Sequence, residues 1–337
     1  MNLTPSQIVR FLDQHVVGQE DAKKQLAVAV HTHYRKIAIA QAEQLDIVKS
    51  NVLLVGPTGT GKTLLCETLS KVLEVPFVTA NATSLAQSEF VNEEIEAILL
   101  RLIEKGGGDT ARAQRGIIFI DEIDKLKAPP EEGGGGHSRT PSGERVQHAL
   151  LKIMEGAPVK LKSGSHFDTT ETLFICGGAF VGIDEILAQT HTFGFIATGE
   201  DDNQKVLDRL NARIKPTDLF RFGLIPEFAG RLPIVARLKP LNRAMMVRIM
   251  TEPRNALYRQ FTAILGDAGV ELKVAAAVFE QIADLAMEYK AGARSLRGIF
   301  EEMLMPVLYL VPDHPEVRQV VFDSLYDEPR YLGSKPA

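Results

Sequence analysis

The sequence contains little cysteine and no long apolar run, and each shortage excludes a class of protein. Its 337 residues include only two cysteines, Cys66 and Cys176, both within apolar segments. Two distant thiols cannot form a four-cysteine zinc site, so no zinc is expected, and buried free thiols are favoured over a disulfide. No stretch of about 20 apolar residues is present, and the first residues lack a cleavage pattern. We therefore expect neither a membrane span nor a signal peptide, and a cytoplasmic location.

The sequence also has no excess of positively charged residues. The chain has 38 lysines and arginines against 43 aspartates and glutamates, a net charge of -5. A mildly acidic chain without a basic cluster interleaved with aromatics argues against a nucleic-acid partner. Because 45% of the residues are hydrophobic, a chain of this length can bury a sizeable core. The composition therefore predicts a globular protein.

Short apolar runs alternate with helical patterns over the first two-thirds of the chain. The pattern predicts strands at 51–55, 76–80, 116–120, 173–176 and 234–236, with helices at 62–73 and 91–104 between them. Strands separated by helices predict an α/β fold in which helices flank a parallel sheet.

The pattern changes after about residue 240, where helices dominate. Helices are predicted at 242–265, 275–289 and 293–310, followed by a short strand at 317–322. We therefore predict a large domain over 1–240, a smaller, mostly helical domain over 241–325, and a tail over 326–337.

Residues 56–63 read GPTGTGKT, a phosphate-binding loop between a predicted strand and a predicted helix. Its glycines let backbone N–H groups close around phosphate oxygens at the positive end of the following helix. Lys62 is expected to reach the β- and γ-phosphates of ATP, and the Thr63 hydroxyl to bind Mg²⁺. The predicted nucleotide-binding residues here are Gly56, Pro57, Thr58, Gly59, Thr60, Gly61, Lys62, Thr63 and Leu64.

Two carboxylates follow the apolar strand at 116–120. Ligands of such sheets bind at the carboxyl ends of the strands, so Asp121 is expected to help hold Mg²⁺. Glu122 is the candidate base that activates the attacking water. Alone, the pair would be read as a solvated acidic turn, but the phosphate loop upstream favours the catalytic interpretation.

The run from Asp121 to Lys125, together with GPTGTGKT, resembles AAA+ ATPases. Five further segments resemble the ClpX family within that class: 17–19, 146–152, 173–180, 222–233 and 292–297. The resemblance covers roughly residues 3 to 322. It implies an AAA+ large domain with a small helical domain, a homo-hexameric ring, and ATP hydrolysis coupled to the unfolding of protein substrates.

The resemblance also implies roles for four further residues. Arg231 corresponds to the arginine finger that reaches the nucleotide of the next subunit, although a surface salt bridge is the alternative interpretation. Arg294 corresponds to the second sensor. Val16 and Val17 are expected to line the adenine pocket, with ordinary core valines as the alternative. The first sensor residue is not assignable from the sequence.

The match to the ClpX family departs at three places. We expect no zinc module before the ATPase core. Where the family has Gly-Tyr-Val-Gly in its pore loop, this chain has Glu89, Phe90, Val91 and Asn92. The aromatic and the valine still predict a loop that grips substrate, and the alternative is that Phe90 packs in the core. A ring of Glu89 side chains in the pore would repel acidic substrate segments. The segment 159–168 lacks the family's Arg-Lys-His motif.

A ClpP-like peptidase is the expected partner. Phe193, Gly194 and Phe195 occupy the place of the family's Ile-Gly-Phe docking loop. An aromatic loop tip is a suitable anchor for a hydrophobic pocket. The leading hypothesis is an unfoldase that feeds such a peptidase. A remodelling chaperone without a peptidase, and an ATP-gated ring that does not translocate, remain as alternatives.

Overall fold

The computed structural model describes residues 3–43, 49–127, 142–191 and 213–333. The chain forms two compact units. The first comprises Met1–Val9, Glu20–Pro57 and Lys62–Leu238, and the second comprises Arg10–Gln19, Thr58–Gly61 and Lys239–Ala337.

A five-stranded parallel sheet forms the centre of the first unit. Its strands are β1 (Val52–Val55), β2 (Phe77–Asn81), β3 (Ile117–Asp121), β6 (Leu173–Gly178) and β7 (Ile234–Arg237), in the order β2-β3-β6-β1-β7. Each neighbouring pair is parallel. The predicted α/β architecture is confirmed, and so are all five predicted strands to within one or two residues at each end. A separate antiparallel hairpin, β4 (Pro158–Lys160) and β5 (His166–Asp168), was not predicted.

Helices connect the strands, and their bounds follow the chain. They are α1 (Pro5–Asp13), α2 (Glu20–Glu43), α3 (Lys62–Leu73), α4 (Ala82–Gln87), α5 (Val91–Lys105), α6 (Thr110–Gln114), α7 (Ser142–Glu155), α8 (Ile183–His191), α9 (Pro216–Phe222) and α10 (Pro226–Gly230). A short 3₁₀ helix, Ile123–Leu126, follows β3. Helix α3 matches its prediction, and α5 ends at Lys105, where the N–H of the following Gly106 donates to the Leu102 carbonyl.

The inner strands are apolar because both of their faces are covered by other elements. All four residues of β1 are buried, and so are the four apolar residues of β3. Strands covered on both faces are continuous hydrophobic runs, unlike the alternating pattern of a sheet with one solvated face. Only the last residue of β3, Asp121, is partly exposed, which places a carboxylate where the buried strand ends.

The second unit has its own core and its own sheet. Its helices are α11 (Arg243–Thr251), α12 (Leu257–Asp267), α13 (Ala276–Glu288) and α14 (Arg294–Leu310), followed by a 3₁₀ turn, Val311–Asp313. Its strands are β8 (Glu271–Val274), β9 (Val317–Phe322) and β10 (Arg330–Gly333), in the order β10-β9-β8. Strands β8 and β10 were not predicted.

The single helix predicted over 242–265 is wrong. Helix α11 ends at Thr251, and α12 begins at Leu257. Pro253 lies between them, and proline both lacks the N–H of a helical hydrogen bond and clashes with the preceding turn. Within the described ranges, no helix is long and apolar enough to cross a membrane.

Candidate active site

The first turn of α3 brings the phosphate-loop lysine and threonine to the carboxyl edge of the sheet. The Lys62 ammonium donates to the carbonyl oxygens of Gly56, at 2.6 Å, and Pro57, at 3.1 Å. The Thr63 hydroxyl donates to Oδ2 of Asp121 at 3.4 Å. The two residues expected to bind Mg²⁺ therefore lie side by side. A hydroxyl and a carboxylate are oxygen ligands of the kind that Mg²⁺ prefers, so this donor set fits the metal.

The two carboxylates after β3 have different environments. Oδ1 of Asp121 accepts a hydrogen bond from the Glu122 N–H at 2.9 Å. Glu122 itself has a φ of 60°, in the left-handed region. A residue with a Cβ adopts that conformation at a cost of about 1–3 kcal/mol, and such strain concentrates at functional sites.

Two residues that the sequence analysis did not single out hold the Glu122 carboxylate. Asn81 Nδ2 donates to Oε2 of Glu122 at 2.9 Å, and the Thr83 hydroxyl donates to the same oxygen at 3.1 Å. Asn81 is in register with Asp121. The signal was present, since a polar residue ends β2 beside the acidic end of β3, but the predicted strand stopped one residue short of Asn81.

The glycines of the phosphate loop occupy positions that disfavour a side chain, either because space is lacking or because φ is positive. A Cβ on Gly56 would lie 2.8 Å from the Leu238 carbonyl oxygen and 2.9 Å from its Cβ. Gly59 and Gly61 have φ values of +77° and +95°. The backbone of this loop can therefore present its N–H groups to the phosphates of a nucleotide.

The remaining loop residues differ in exposure. Pro57, Thr58 and Leu64 are exposed, while Thr60 is buried. Leu64 follows Thr63 in the first turn of α3. The loop therefore contributes backbone groups along its length, with only Lys62 and Thr63 supplying the side-chain chemistry expected of it.

Within the second unit, the apex of the phosphate loop contacts the turn before α14. The Ala293 N–H donates to the Gly59 carbonyl at 3.1 Å. A Cβ on Gly59 would lie 2.4 Å from the Ala291 carbonyl oxygen. Arg294, the first residue of α14, is exposed directly after this turn. The structure therefore places the predicted second-sensor arginine next to the loop apex.

The segment Val16 to Gln19 belongs to the second unit. Val16 and Val17 are buried, at 5% and 7% exposure. Gly18 and Gln19 both have left-handed φ values, of 66° and 60°. The Gln19 side-chain amide donates to the Lys239 carbonyl and accepts from the Lys239 N–H, both at 2.8 Å. Gln19 therefore fixes the backbone where the long helical part of the second unit begins.

Arg231 lies at the opposite edge of the sheet from Asp121. Its carbonyl accepts from Nδ2 of Asn51, at 3.2 Å, and Asn51 directly precedes β1. The Arg231 guanidinium forms an ion pair with Glu155 at 2.6 Å. The surface salt bridge considered as an alternative is thus present, and Arg231 is not brought to Lys62 and Glu122 of its own chain.

The predicted pore residues have opposite environments. Phe90 is 63% exposed and directly precedes α5, whereas Val91 is buried at 6%. Phe90 in the core, considered as an alternative, is therefore wrong, and Val91 packs inside the chain. Glu89 is exposed. Phe193, Gly194 and Phe195 lie outside the described residues.

Both cysteines are buried and free, as predicted. Burial raises the pKa of the Cys66 thiol well above its usual value, and the charge of Asp121 raises it further. Burial raises the pKa of Cys176 to about 12. Neither thiol is therefore a nucleophile at neutral pH.

Comparisons with known proteins show the family of this chain. The AAA domain (Cdc48 subfamily) family matches residues 47–235, and the C-terminal, D2-small domain, of ClpB protein matches residues 241–319. The ATP-dependent Clp protease ATP-binding subunit ClpX 3 of Methylococcus capsulatus is 43% identical over 346 residues, covering 95% of this chain and 79% of the relative. The chain belongs to the ClpX family of AAA+ ATPases.

Two further ClpX relatives match nearly the same span. The ATP-dependent Clp protease ATP-binding subunit ClpX of Azotobacter vinelandii is 41% identical over 96% of this chain and 78% of its own. ClpX 2 of Wolinella succinogenes is 41% identical over 94% of this chain and 80% of its own. Membership of the ClpX family confirms the recognised resemblance, the fold class and the ATPase activity.

Proposed function

We propose that this chain is an ATP-driven protein unfoldase that works as a homo-hexameric ring and delivers its substrates to a ClpP-like peptidase. The observation that carries the proposal is the site at the carboxyl edge of the sheet, where Lys62, Thr63, Asp121 and Glu122 converge in a ClpX-family chain. The relatives are named as ATP-binding subunits of the Clp protease, which supports the peptidase partner.

Each residue of the site has a distinct task in this proposal. Lys62 binds the terminal phosphates, because its ammonium already lies among the phosphate-loop carbonyls. Thr63 and Asp121 would hold Mg²⁺, which supplies neutralisation of phosphate charge when bound. Glu122 orients and deprotonates the attacking water, and Asn81 and Thr83 fix its carboxylate.

The place of Arg231 supports a role between subunits. It lies beside the residue that precedes β1, whereas the phosphate loop follows the other end of that strand. A strand of four residues spans roughly 13 Å, so Arg231 is far from the nucleotide site of its own chain. A neighbouring subunit is the natural recipient of this cation, and hydrolysis then depends on assembly.

The exposure of Phe90 supports its role as the residue that grips substrate. A large apolar side chain that is 63% exposed at a loop tip can push on a polypeptide of any sequence. Because Val91 is buried, we assign the gripping role to Phe90 alone. The peptidase contact is assigned to Phe193–Phe195 on the sequence and the relatives' names.

The decisive experiment measures ATP turnover of the full chain with and without an unfolded, tag-free polypeptide, with Glu122→Gln as the blank. We expect polypeptide to stimulate turnover, because the substrate engages the motor. Turnover that is indifferent to every polypeptide tried would contradict translocation and favour an ATP-gated ring.

The peptidase partner is tested separately. Deleting Phe193 to Phe195 should abolish degradation with a ClpP-like peptidase and leave ATP turnover and unfolding unchanged. If degradation persists after the deletion, docking through this segment is excluded. Unfolding without any peptidase-dependent degradation in the intact chain would favour a remodelling chaperone.

A further inference from the structure

A cavity of about 400 Å³ opens beside the proposed Mg²⁺ ligands in the first unit. Thr63 and Asp121 are among its lining residues, and so are Arg101 and Glu94 of α5. An orthophosphate ion needs the space of roughly two or three water molecules at about 30 Å³ each, so the cavity can hold one with several waters. Thr63, Asn81 and Asp121, which line the cavity, already have roles in the proposed site, whereas Arg101 has none.

The register of the sheet explains why the cavity is polar. Thr79 pairs with Phe119 and Asn81 pairs with Asp121, so these four side chains lie on one face of β2 and β3. On the neighbouring strand, Gly177 has no side chain to fill the space, and a Cβ there would lie 2.7 Å from the Phe119 ring and 3.3 Å from Asp121 Oδ1. The face therefore stays open towards the catalytic edge.

Arg101 is the one basic residue among the residues that line the cavity. Its side chain is exposed, and its guanidinium makes no hydrogen bond or ion pair within the described part of the chain. Glu94, on the same helix, does not pair with it. A guanidinium presents a rigid fork of donors that matches phosphate oxygens, and an unpaired one loses no partner on binding an anion.

We propose that Arg101 binds the inorganic phosphate released by ATP hydrolysis, and that this cavity is the path by which the phosphate leaves. The inference rests on the proposed ATPase site. Hydrolysis breaks the bond between the γ-phosphorus and the bridging oxygen, and water supplies the new oxygen. The phosphate is then beside Thr63 and Asp121, which line the cavity. Arg101 offsets the repulsion of Glu94 and Asp121, so the anion can enter.

The test titrates inorganic phosphate into the full chain loaded with ADP and Mg²⁺, at constant ionic strength. The phosphorus NMR line width of the added phosphate reports binding, and inhibition of ATP turnover gives a second affinity. We expect Arg101→Gln to weaken both affinities about tenfold, because one charge-assisted interaction is lost. The KM for ATP should change by less than about twofold, because the proposal places Arg101 on the released phosphate and not on ATP.

Two further variants make the result specific. Arg101→Lys should recover part of the phosphate affinity, since it keeps the charge and loses the fork. Lys105→Gln removes another exposed cation of α5 outside the cavity and should leave the affinity unchanged. The inference is overturned if the unaltered chain binds no phosphate, if Arg101→Gln binds it equally well, or if Arg101→Gln raises the KM for ATP in parallel. Failure of the proposed function would be seen in a different measurement, because polypeptide would then not stimulate ATP turnover.

Discussion

At the scale of single residues, Asn51 shows how one buried amide positions a distant functional group. Its Nδ2 donates to the carbonyls of Met154 and Arg231, both at 3.2 Å. Glu155, which follows Met154, forms the ion pair with the Arg231 guanidinium. The Asn51 side chain thus links α7 to the segment after α10. Asn51 is 1% exposed, and its two hydrogen bonds position both partners of the ion pair.

We expect Arg231→Ala to bind ATP normally and to lose turnover by about a thousandfold or more, as when an arginine finger is removed. Glu155→Gln is the matched control. It breaks the same surface ion pair, which contributes about 1 kcal/mol or less, and should keep turnover within about twofold. Nucleotide binding and steady-state hydrolysis of the two variants check this.

Mixing inactive subunits tests whether Arg231 acts on its neighbour. Arg231→Ala and Glu122→Gln are each expected to be inactive alone. In a mixed ring, a Glu122→Gln subunit still supplies its arginine to the intact site of an Arg231→Ala subunit. Partial recovery of turnover is the expected result, and no recovery in verified mixed rings would mean that the arginine does not act in trans.

Asn81 is expected to act by positioning Glu122. Asn81→Ala removes the donor 2.9 Å from the carboxylate and leaves Thr83. We expect kcat to fall about threefold to tenfold with little change in KM, because a base must be held in place to act. Steady-state kinetics measure both constants. A rise in kcat would show instead that Asn81 restrains the base.

His33 is expected to make the fold sensitive to acid. Burial lowers its pKa to about 4, helped by the charges of Lys49 and Lys36, against a carbonyl contact with Glu171 that raises it. The pKa is lower in the folded chain than in the unfolded chain, so the unfolded chain binds the proton first. The titration of His33 therefore leaves stability unchanged well above pH 6.5 and lowers it as the pH drops towards 4, by about 2 kcal/mol at pH 5.

His33→Phe removes this proton site and keeps a ring in the core. The fall in Tm between pH 7.5 and pH 5 should be smaller in the variant than in the original chain, by roughly 4 °C. His148→Phe is the matched control, because that imidazole is 53% exposed and should leave the fall unchanged. Equal falls in all three chains would contradict the assignment to His33.

At the scale of elements, the sequence predicted the ends of helices best where the residues at those ends determine them. Helix α3 was predicted to the residue because the phosphate-loop motif marks its start. The end of α5 was predicted to within one residue because glycines follow it. The gap between α11 and α12 was missed because the apolar spacing continues past Pro253. The contacts of Glu122 with Asn81 and Thr83 depend on the pairing of β2 with β3. The sequence pattern within either strand alone does not predict them.

The loop before α5 gives a prediction at this scale. Phe90→Ala should bind and hydrolyse ATP but no longer unfold substrate, because the grip needs a large side chain. Phe220→Ala, which truncates another aromatic that is 55% exposed, is the control and should unfold normally. Unfolding of a fluorescent substrate measures the effect, and normal unfolding by Phe90→Ala would refute the pore-loop assignment.

At the scale of the whole molecule, long-range bonds decide which segments belong together. The second unit gathers residues 10–19 and 58–61 with the chain from 239 onward. The bonds responsible join Gln19 to Lys239 and Gly59 to Ala293. A sequence pattern shows a change of character near residue 240, but it does not show which distant segments join the second unit.

The two thiols have a consequence for following this protein in solution. Cys66 and Cys176 are the only cysteines in the sequence, and both lie in the first unit with no exposed surface. An alkylating reagent reaches them only when α3 or β6 opens, and the raised pKa of each thiol keeps background reaction low. Mass spectrometry of the alkylated peptides thus records openings of the ATPase core, one site at a time and without an added label, while the second unit contributes no signal.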